Sequence, residues 1–301
     1  MPGTVLAPPP EPARTRVSPR QIADAAVAAL HAEAELTPKP GLVDRRGGGA
    51  HADMNLELLT ASAEALREAF EQCADAATRM PPGPELRARI GAVGRDGERR
   101  MLAATGGVNT HRGALWALGL LSAGAARAGS IDAAAEFAAC LARLPDHGAP
   151  RREQDSHGEQ AHVRFGAAGA AGEARAGFPH VTGHVLPALY RARSRGAGER
   201  SARLDALLAV MASLQDTCLL HRGGPAGLAA VQRAAAGVLA VGGSTTPDGA
   251  RRLAALDDLA RTRRLSPGGS ADLLSAALFL DSLPFAQGRI RHADADLSVS
   301  R

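Results

Sequence analysis

The chain has 301 residues, 35 of them basic and 31 acidic for a net charge of +4, and it is 45% hydrophobic but only 3% aromatic. One Trp, one Tyr and six Phe argue against a β-sandwich or barrel, whose strands draw on aromatic and β-branched residues, and against a base-stacking nucleic-acid platform. So small a basic excess does not coat DNA, and three widely spaced Cys without a CxxC pair support neither a disulfide framework nor a Cys-based zinc site. No apolar run reaches membrane-spanning length and the N-terminus lacks a signal-peptide core, so the expectation is a cytoplasmic, all-α protein with no nucleic-acid or membrane partner.

In chain order, the Pro-rich residues 1–17 read as a disordered arm. Ser18-Pro19-Arg20-Gln21 is a helix start, with Ser18 as cap, Pro19 in the first turn and Gln21 closing a capping box. Ile22, Ala25, Ala26 and Ala29 then recur at helical spacing to about Glu35. Residues 37–51 follow, with two Pro and four Gly, and cannot be helix interior. They contain Lys39, the only lysine of the chain. A second helix starts near Asp53 or Asn55 and runs to about Thr78. Further helices fit 84–103, 110–128, 130–143, 150–165, 179–195, 200–220, 224–241, 248–264 and 270–283, with Thr110, Ser130 and Ser270 as plausible caps. The reading is a single domain of about ten helices over 18–283 and a C-terminal tail over 284–301.

Four segments combine small residues, polar groups and helix starts. They are the loop from Thr37 through His51 to Asp53, the turn Thr105–Gly113, the stretch Asp216–Gly224, and Ser266–Asp272. A glycine turn at a helix N-terminus offers backbone N–H groups to phosphate. Gly106, Gly107, Asn109, Thr110, Gly268, Gly269 and Ser270, with Lys39, Arg112, His221 and Arg222, are therefore candidates for holding a polyphosphate. Asp44, Asp53, Asp216 and Asp272 lie in or beside the same segments, and carboxylate plus phosphate oxygen is the usual way to hold Mg²⁺. Plainer readings exist for each: Asp53 as a helix cap, Asp272 as a complement to a helix dipole, Lys39 as a solvated turn residue. Asp216, placed near the end of the 200–220 helix, calls for a cation or metal partner. The chain has no GxxxxGK[ST] and no HExxH, which excludes a P-loop and a zincin. His180 and His184, four apart on a helix, lack a third metal ligand, and Cys218 and His221 read as packing neighbours.

Glu35–Asp44, Gly49–Met54, Thr105–His111 and Ser266–Asp272 together resemble the triphosphoribosyl-dephospho-CoA synthase family, in the family's order across about 18–283. Asp216–Gly224 is more similar to its malonate-decarboxylase-associated branch. The sequence departs from the family pattern at Asn55, at Cys218 and in the Arg-free stretch Phe165–Glu173. The resemblance implies an all-helical enzyme that joins ATP to 3′-dephospho-CoA and releases adenine. Its product is a prosthetic-group precursor that a separate phosphoribosyl-dephospho-CoA transferase attaches to an acyl-carrier subunit. With it come role assignments: Asp44 and Asp53 for base catalysis or Mg²⁺, Asp216 and Asp272 for metal or ribose, and His111 and His221 for phosphate or for the departing adenine. The competing readings are an all-helical, Mg²⁺-dependent hydrolase of nucleotide or ADP-ribose conjugates, and a helical scaffold that would leave the four segments unexplained.

Overall fold

The computed structural model describes residues 17–149 and 157–286. The arm up to Arg16, residues 150–156 of the helix expected over 150–165, and the tail beyond Ala286 lie outside the described residues. Among the described residues the regular structure is helical, apart from one isolated bridge between Asp44 and Gly47.

α1 (Pro19–Ala34) begins with the capping box: Ser18 Oγ accepts from Gln21 N, and Gln21 Oε1 accepts from Ser18 N. α2 (Leu56–Arg79) is capped by Asn55, whose Oδ1 accepts from Leu58 N, so Asp53 stays outside the helix. α3 (Pro84–Ala104), α4 (Arg112–Arg127) and α5 (Ile131–Arg143) follow, the last capped by Ser130 as expected. After α6 (His157–Phe165) comes α7 (Gly169–Arg175), a short Gly- and Ala-rich helix that no apolar periodicity announces. A π turn at Val181–Val185 runs into α8 (Leu186–Ser194).

The expected helix over 200–220 is corrected. α9 (Glu199–Ser213) stops earlier, and α10 (Thr217–Leu239) begins under an Asp216 cap whose Oδ1 accepts from Cys218 N and Leu219 N. The charge of Asp216 therefore sits at the positive end of a helix, where backbone amides meet it and no cation is called for. α10 is broken at Gly224, whose φ of 58° and ψ of −167° are not helical, so a second helical stretch starts there with Pro225 in its first turn, as the expected helix over 224–241 has it. α11 (Pro247–Thr262) and α12 (Gly268–Ser282) complete the set, and Pro284–Ala286 forms a short 3-10 turn.

Two helices form the middle of the molecule. Every residue of α12 from Leu273 to Leu280 is buried, as is every residue of α4 from Ala117 to Ala125. A helix buried on all sides is interior rather than amphipathic. α4 and α12 pack on each other and on α1, with α2, α3 and α5 around α4 and with α9 and α10 around α12. The beginnings of three helices meet as a result. A Cβ on Gly113, in the first turn of α4, would lie 2.0 Å from Asp272 Oδ2, just beyond the first turn of α12, so any larger residue there has to displace that carboxyl. Ser270 of α12 donates from its backbone N and its Oγ to Asp216, the cap of α10, at 2.8 and 3.0 Å.

The loop after α1 is pinned to α11 by a second close approach. Gly41 has φ of 68°, and a Cβ there would stand 2.3 Å from the Leu265 carbonyl oxygen. Gly41→Ala is expected to cost at least about 2 kcal/mol, lowering Tm by roughly 4–8 °C in thermal denaturation followed by circular dichroism. Among the described residues no single helix is long and apolar enough to cross a membrane.

Candidate active site

The loop between α1 and α2 is built on carboxylates. Asp44 is buried, and its two oxygens accept from the backbone N of Lys39 and Arg46 and from Nε and a terminal nitrogen of the Arg46 guanidinium. Burial pushes the Asp44 carboxyl up, but the Arg46 side chain and these amides hold it below the usual carboxylate range. Arg46 also reaches Asp257 of α11 at 2.8 Å, and Asp257 accepts from Gly41 N and Arg261 Nε. With its acceptor capacity taken up, Asp44 shapes the loop.

Lys39 faces inward from this loop. It is 1% exposed, and its Nζ donates to Glu33 Oε1 at 2.6 Å and to the Glu33 carbonyl at 2.7 Å, with Glu33 itself 4% exposed. This removes the solvated-turn reading. The ammonium has three N–H donors, and the third makes no hydrogen bond among the described residues.

Asp216 and Asp272 form the acid centre where the helix starts meet. Burial raises the Asp216 carboxyl despite its bonds to Ser270, Leu219 and Cys218. Asp272 is raised well above the usual range, first by burial and then by the negative charges of Asp216 and Glu33, against one bond from Ala114 N. The two acids differ in what remains free. Asp216 already accepts four hydrogen bonds, whereas Asp272 is partly exposed and accepts only the Ala114 amide. The Gly269 amide bonds Cys218 and the Ser270 amide bonds Asp216, so the start of α12 spends these donors on the protein's own groups. Burial and the adjacent Asp216 and Asp272 push the Cys218 thiol up, leaving it un-ionised and inert.

His111, at the head of α4, is 5% exposed, and its Nδ1 lies 2.7 Å from Ser62 Oγ. Burial, Lys39 and His31 lower its pKa to about 3, which makes it a neutral imidazole. Thr110 donates from its hydroxyl to Ser62 at 2.6 Å and is not the expected helix cap. The glycine turn before it closes α3: Gly107 N donates to the Leu102 carbonyl at 2.7 Å. Gly106 and Gly107 are exposed beside Asn109, whose Oδ1 accepts from Arg112 N, and Arg112 is paired with Glu98.

At the rim, His51 Nε2 lies 2.8 Å from Ser266 Oγ and its Nδ1 3.1 Å from an Arg222 guanidinium nitrogen. Arginine only donates, so Nδ1 accepts and Nε2–H donates to Ser266. Burial and Arg222 lower the His51 pKa, opposed by Asp53, whose carboxylate is 64% exposed and 3.6 Å from Nδ1. His221 and Arg222 are both exposed. The His180–His184 pair is a separate feature: the rings stack at 5.1 Å and His180 Nδ1 binds Glu173 at 2.8 Å, which raises the His180 pKa. Among the described residues no group of three or more His, Cys, Asp or Glu could hold a metal ion.

The four irregular segments thus meet, through Gly113 and Asp272, Asp216 and Ser270, and His51 with Ser266 and Arg222. Residues 19–290 match the CitG family, ATP:dephospho-CoA triphosphoribosyl transferase. The chain belongs to this family. A relative from Pseudomonas paraeruginosa, named probable 2-(5''-triphosphoribosyl)-3'-dephosphocoenzyme-A synthase, is 54% identical over 269 residues, 89% of this chain and 92% of its own. The Klebsiella pneumoniae 2-(5''-triphosphoribosyl)-3'-dephosphocoenzyme-A synthase is 51% identical over 272 residues, 89% and 96% of the two chains. No solved structure matches.

In this triphosphoribosyl transferase the site includes residues the motifs do not contain. Glu33 continues the buried stripe Ile22, Ala26, Ala29, Leu30 of α1, and Ser62 falls among Leu59, Ala63 and Leu66 on the buried face of α2. A charge on an apolar stripe was the legible signal for Glu33. A lone Ser is too common in helices to give one.

Proposed function

We propose that the chain transfers the 5-triphosphoribosyl group of ATP to the 2′-OH of 3′-dephospho-CoA with release of adenine. We further propose that the product is the precursor of the malonate decarboxylase prosthetic group, handed to a downstream transferase. Family membership supports the reaction, and the similarity of Asp216–Gly224 to the malonate branch supports the pathway. The observation that carries the chemistry is the partly exposed, elevated carboxyl of Asp272, which stands against Gly113 and Ala114 at the start of α4, the helix that His111 heads.

The reaction breaks the bond between C1′ of the ATP ribose and adenine and forms one from C1′ to the acceptor O2′. Charge builds on the ribose in an oxocarbenium-like transition state, which a nearby carboxylate stabilises. Asp272 supports this role once it is ionised: it has acceptor capacity left, and its raised pKa makes it a stronger base than an ordinary carboxylate for the 2′-OH proton as the new bond forms. The electron pair of the broken bond leaves with adenine, which takes a proton from solvent, and Asp272 returns the 2′-OH proton to solvent, so the two transfers balance. His111 is held neutral, so it serves as a hydrogen-bond donor to the leaving base and not as its proton source. Asp44 and Asp216 are positioning groups, the first for the Lys39 loop and the second for the start of α12.

The triphosphate is retained, so it needs holding without cleavage. Arg222 and His221 at the rim, Asn109 beside its exposed glycines, and the third N–H of Lys39 supply donors. A Mg²⁺ ion fits as a companion of the nucleotide: it keeps most of its waters and asks for one or two carboxylates plus phosphate oxygens, and the exposed Asp53 supplies one. Bound there, it would neutralise phosphate charge.

Incubation with ATP and 3′-dephospho-CoA, followed by adenine detection and mass spectrometry, tests the reading. Equimolar adenine and the triphosphoribosyl adduct are expected. Adenine formed without dephospho-CoA would establish the hydrolase instead.

A further inference from the structure

We propose that Ser62, in the middle of α2, is a positioning residue that fixes His111 in the tautomer carrying its hydrogen on Nε2, so that His111 presents a neutral N–H donor to the leaving base. The proposal rests on the transferase reading above for what His111 meets, and on geometry alone for the tautomer.

Three side chains form a short chain of hydrogen bonds. Thr110 Oγ1 donates to Ser62 Oγ at 2.6 Å, and Ser62 Oγ is 2.7 Å from His111 Nδ1. A serine hydroxyl has one hydrogen and two lone pairs. Its lone pair facing Thr110 is occupied, and among the described residues its hydrogen has no acceptor other than Nδ1. The hydrogen therefore lies on the line to Nδ1, which accepts, and the ring hydrogen is on Nε2. The opposite tautomer would turn the chain round, with Nδ1–H donating to Ser62 Oγ and Ser62 donating to Thr110 Oγ1, and would leave the Thr110 hydrogen without an acceptor among the described residues and Nε2 as a bare lone pair. A second feature holds the ring from the other side of its backbone: His111 N donates to Met101 Sδ at 3.3 Å. Nε2 makes no hydrogen bond to the described residues, and the Lys39 charge beside the ring opposes any second proton. A ring that cannot gain a proton and whose free edge is an N–H is suited to one task at that edge, donation to a neutral or anionic acceptor.

The test combines a spectroscopic and a kinetic readout on Ser62→Ala and Thr110→Val. In the parent protein, ¹⁵N correlation spectra should place His111 as the Nε2–H tautomer, with or without substrates. In Ser62→Ala the Nδ1 acceptor loses its donor, so the spectrum should shift toward a mixture, and kcat should fall about tenfold or more with KM changed less than about threefold. Thr110→Val keeps the Ser62 hydroxyl and should retain the tautomer, with a smaller kcat loss. An Nδ1–H tautomer in the parent, an unchanged tautomer in Ser62→Ala, or a kcat within about twofold of the parent in Ser62→Ala would each overturn the proposal. Because the parent spectrum is read without turnover, a failed transferase assay with a correct tautomer would count against the reaction and leave the positioning role standing.

Discussion

Asp272→Asn is expected to lose about 10²–10⁴-fold in kcat while gaining thermal stability at alkaline pH. Both effects follow from one carboxyl. Asp272 is raised well above its ordinary value by burial and by the charges of Asp216 and Glu33. Between the unfolded value of about 3.9 and the folded one, the folded protein keeps a proton that the unfolded chain has released. Folding is therefore favoured at low pH by this group, and that contribution is lost as pH rises through the folded pKa. Asparagine is neutral throughout and keeps an oxygen for the Ala114 amide. The Tm difference between variant and parent should be near zero at about pH 4 and positive at about pH 8. A kcat within tenfold of the parent would move the proton-accepting role elsewhere, and a Tm difference independent of pH would remove the elevated carboxyl. The combination of lost turnover with gained stability is the signature of a group retained for chemistry at the expense of the fold.

The same centre shows which parts of the molecule a sequence can reveal. The capping box at Ser18 and the Ser130 cap are local properties, written in neighbouring residues, and the structure carries them unchanged. The start of α2, open between Asp53 and Asn55, falls at Asn55, and Ser270 is not a cap, because α12 already begins at Gly268 and Ser270 turns to Asp216. The break between α9 and α10 was hidden because apolar residues run up to Leu214 and resume at Leu219, and Asp216 reads equally as the end of one helix or the cap of the next. For the site, the glycine-punctuated segments were visible as irregularities, and the structure does bring them together. Which of their acids has a free oxygen was not visible. That depends on Arg46 folding back on Asp44 and on Ser270 reaching across to Asp216, contacts set by how α4, α10 and α12 meet. Glycine was misleading at one place for a physical reason. Gly106 and Gly107 have positive φ, 63° and 89°, because they terminate α3, so their presence in the sequence is already explained by a helix stop, whatever the exposed turn binds.

The second large effect concerns Lys39 and Glu33. Breaking a buried ion pair from one side leaves an uncompensated charge, so Lys39→Met and Glu33→Gln should each cost about 3–5 kcal/mol in denaturant unfolding. Replacing both, as Glu33→Leu with Lys39→Met, removes the desolvation cost together with the attraction and should recover most of that loss. Activity should separate from stability in this series. The double variant regains the fold but lacks the inward ammonium, so its kcat should stay at least about a hundredfold down if Lys39 meets the triphosphoribosyl group. His111 supplies an independent readout of the same charge. Its pKa is lowered to about 3 by burial, then by Lys39. Removing the cation should therefore move the His111 titration upward in NMR, and the shift should appear in the refolded double variant as well as in Lys39→Met. A double variant with restored stability and parental kcat would make the pair a packing device. A His111 titration that stays put would mean that burial alone holds the ring neutral, and that the only lysine of the chain acts on substrate and not on its neighbours.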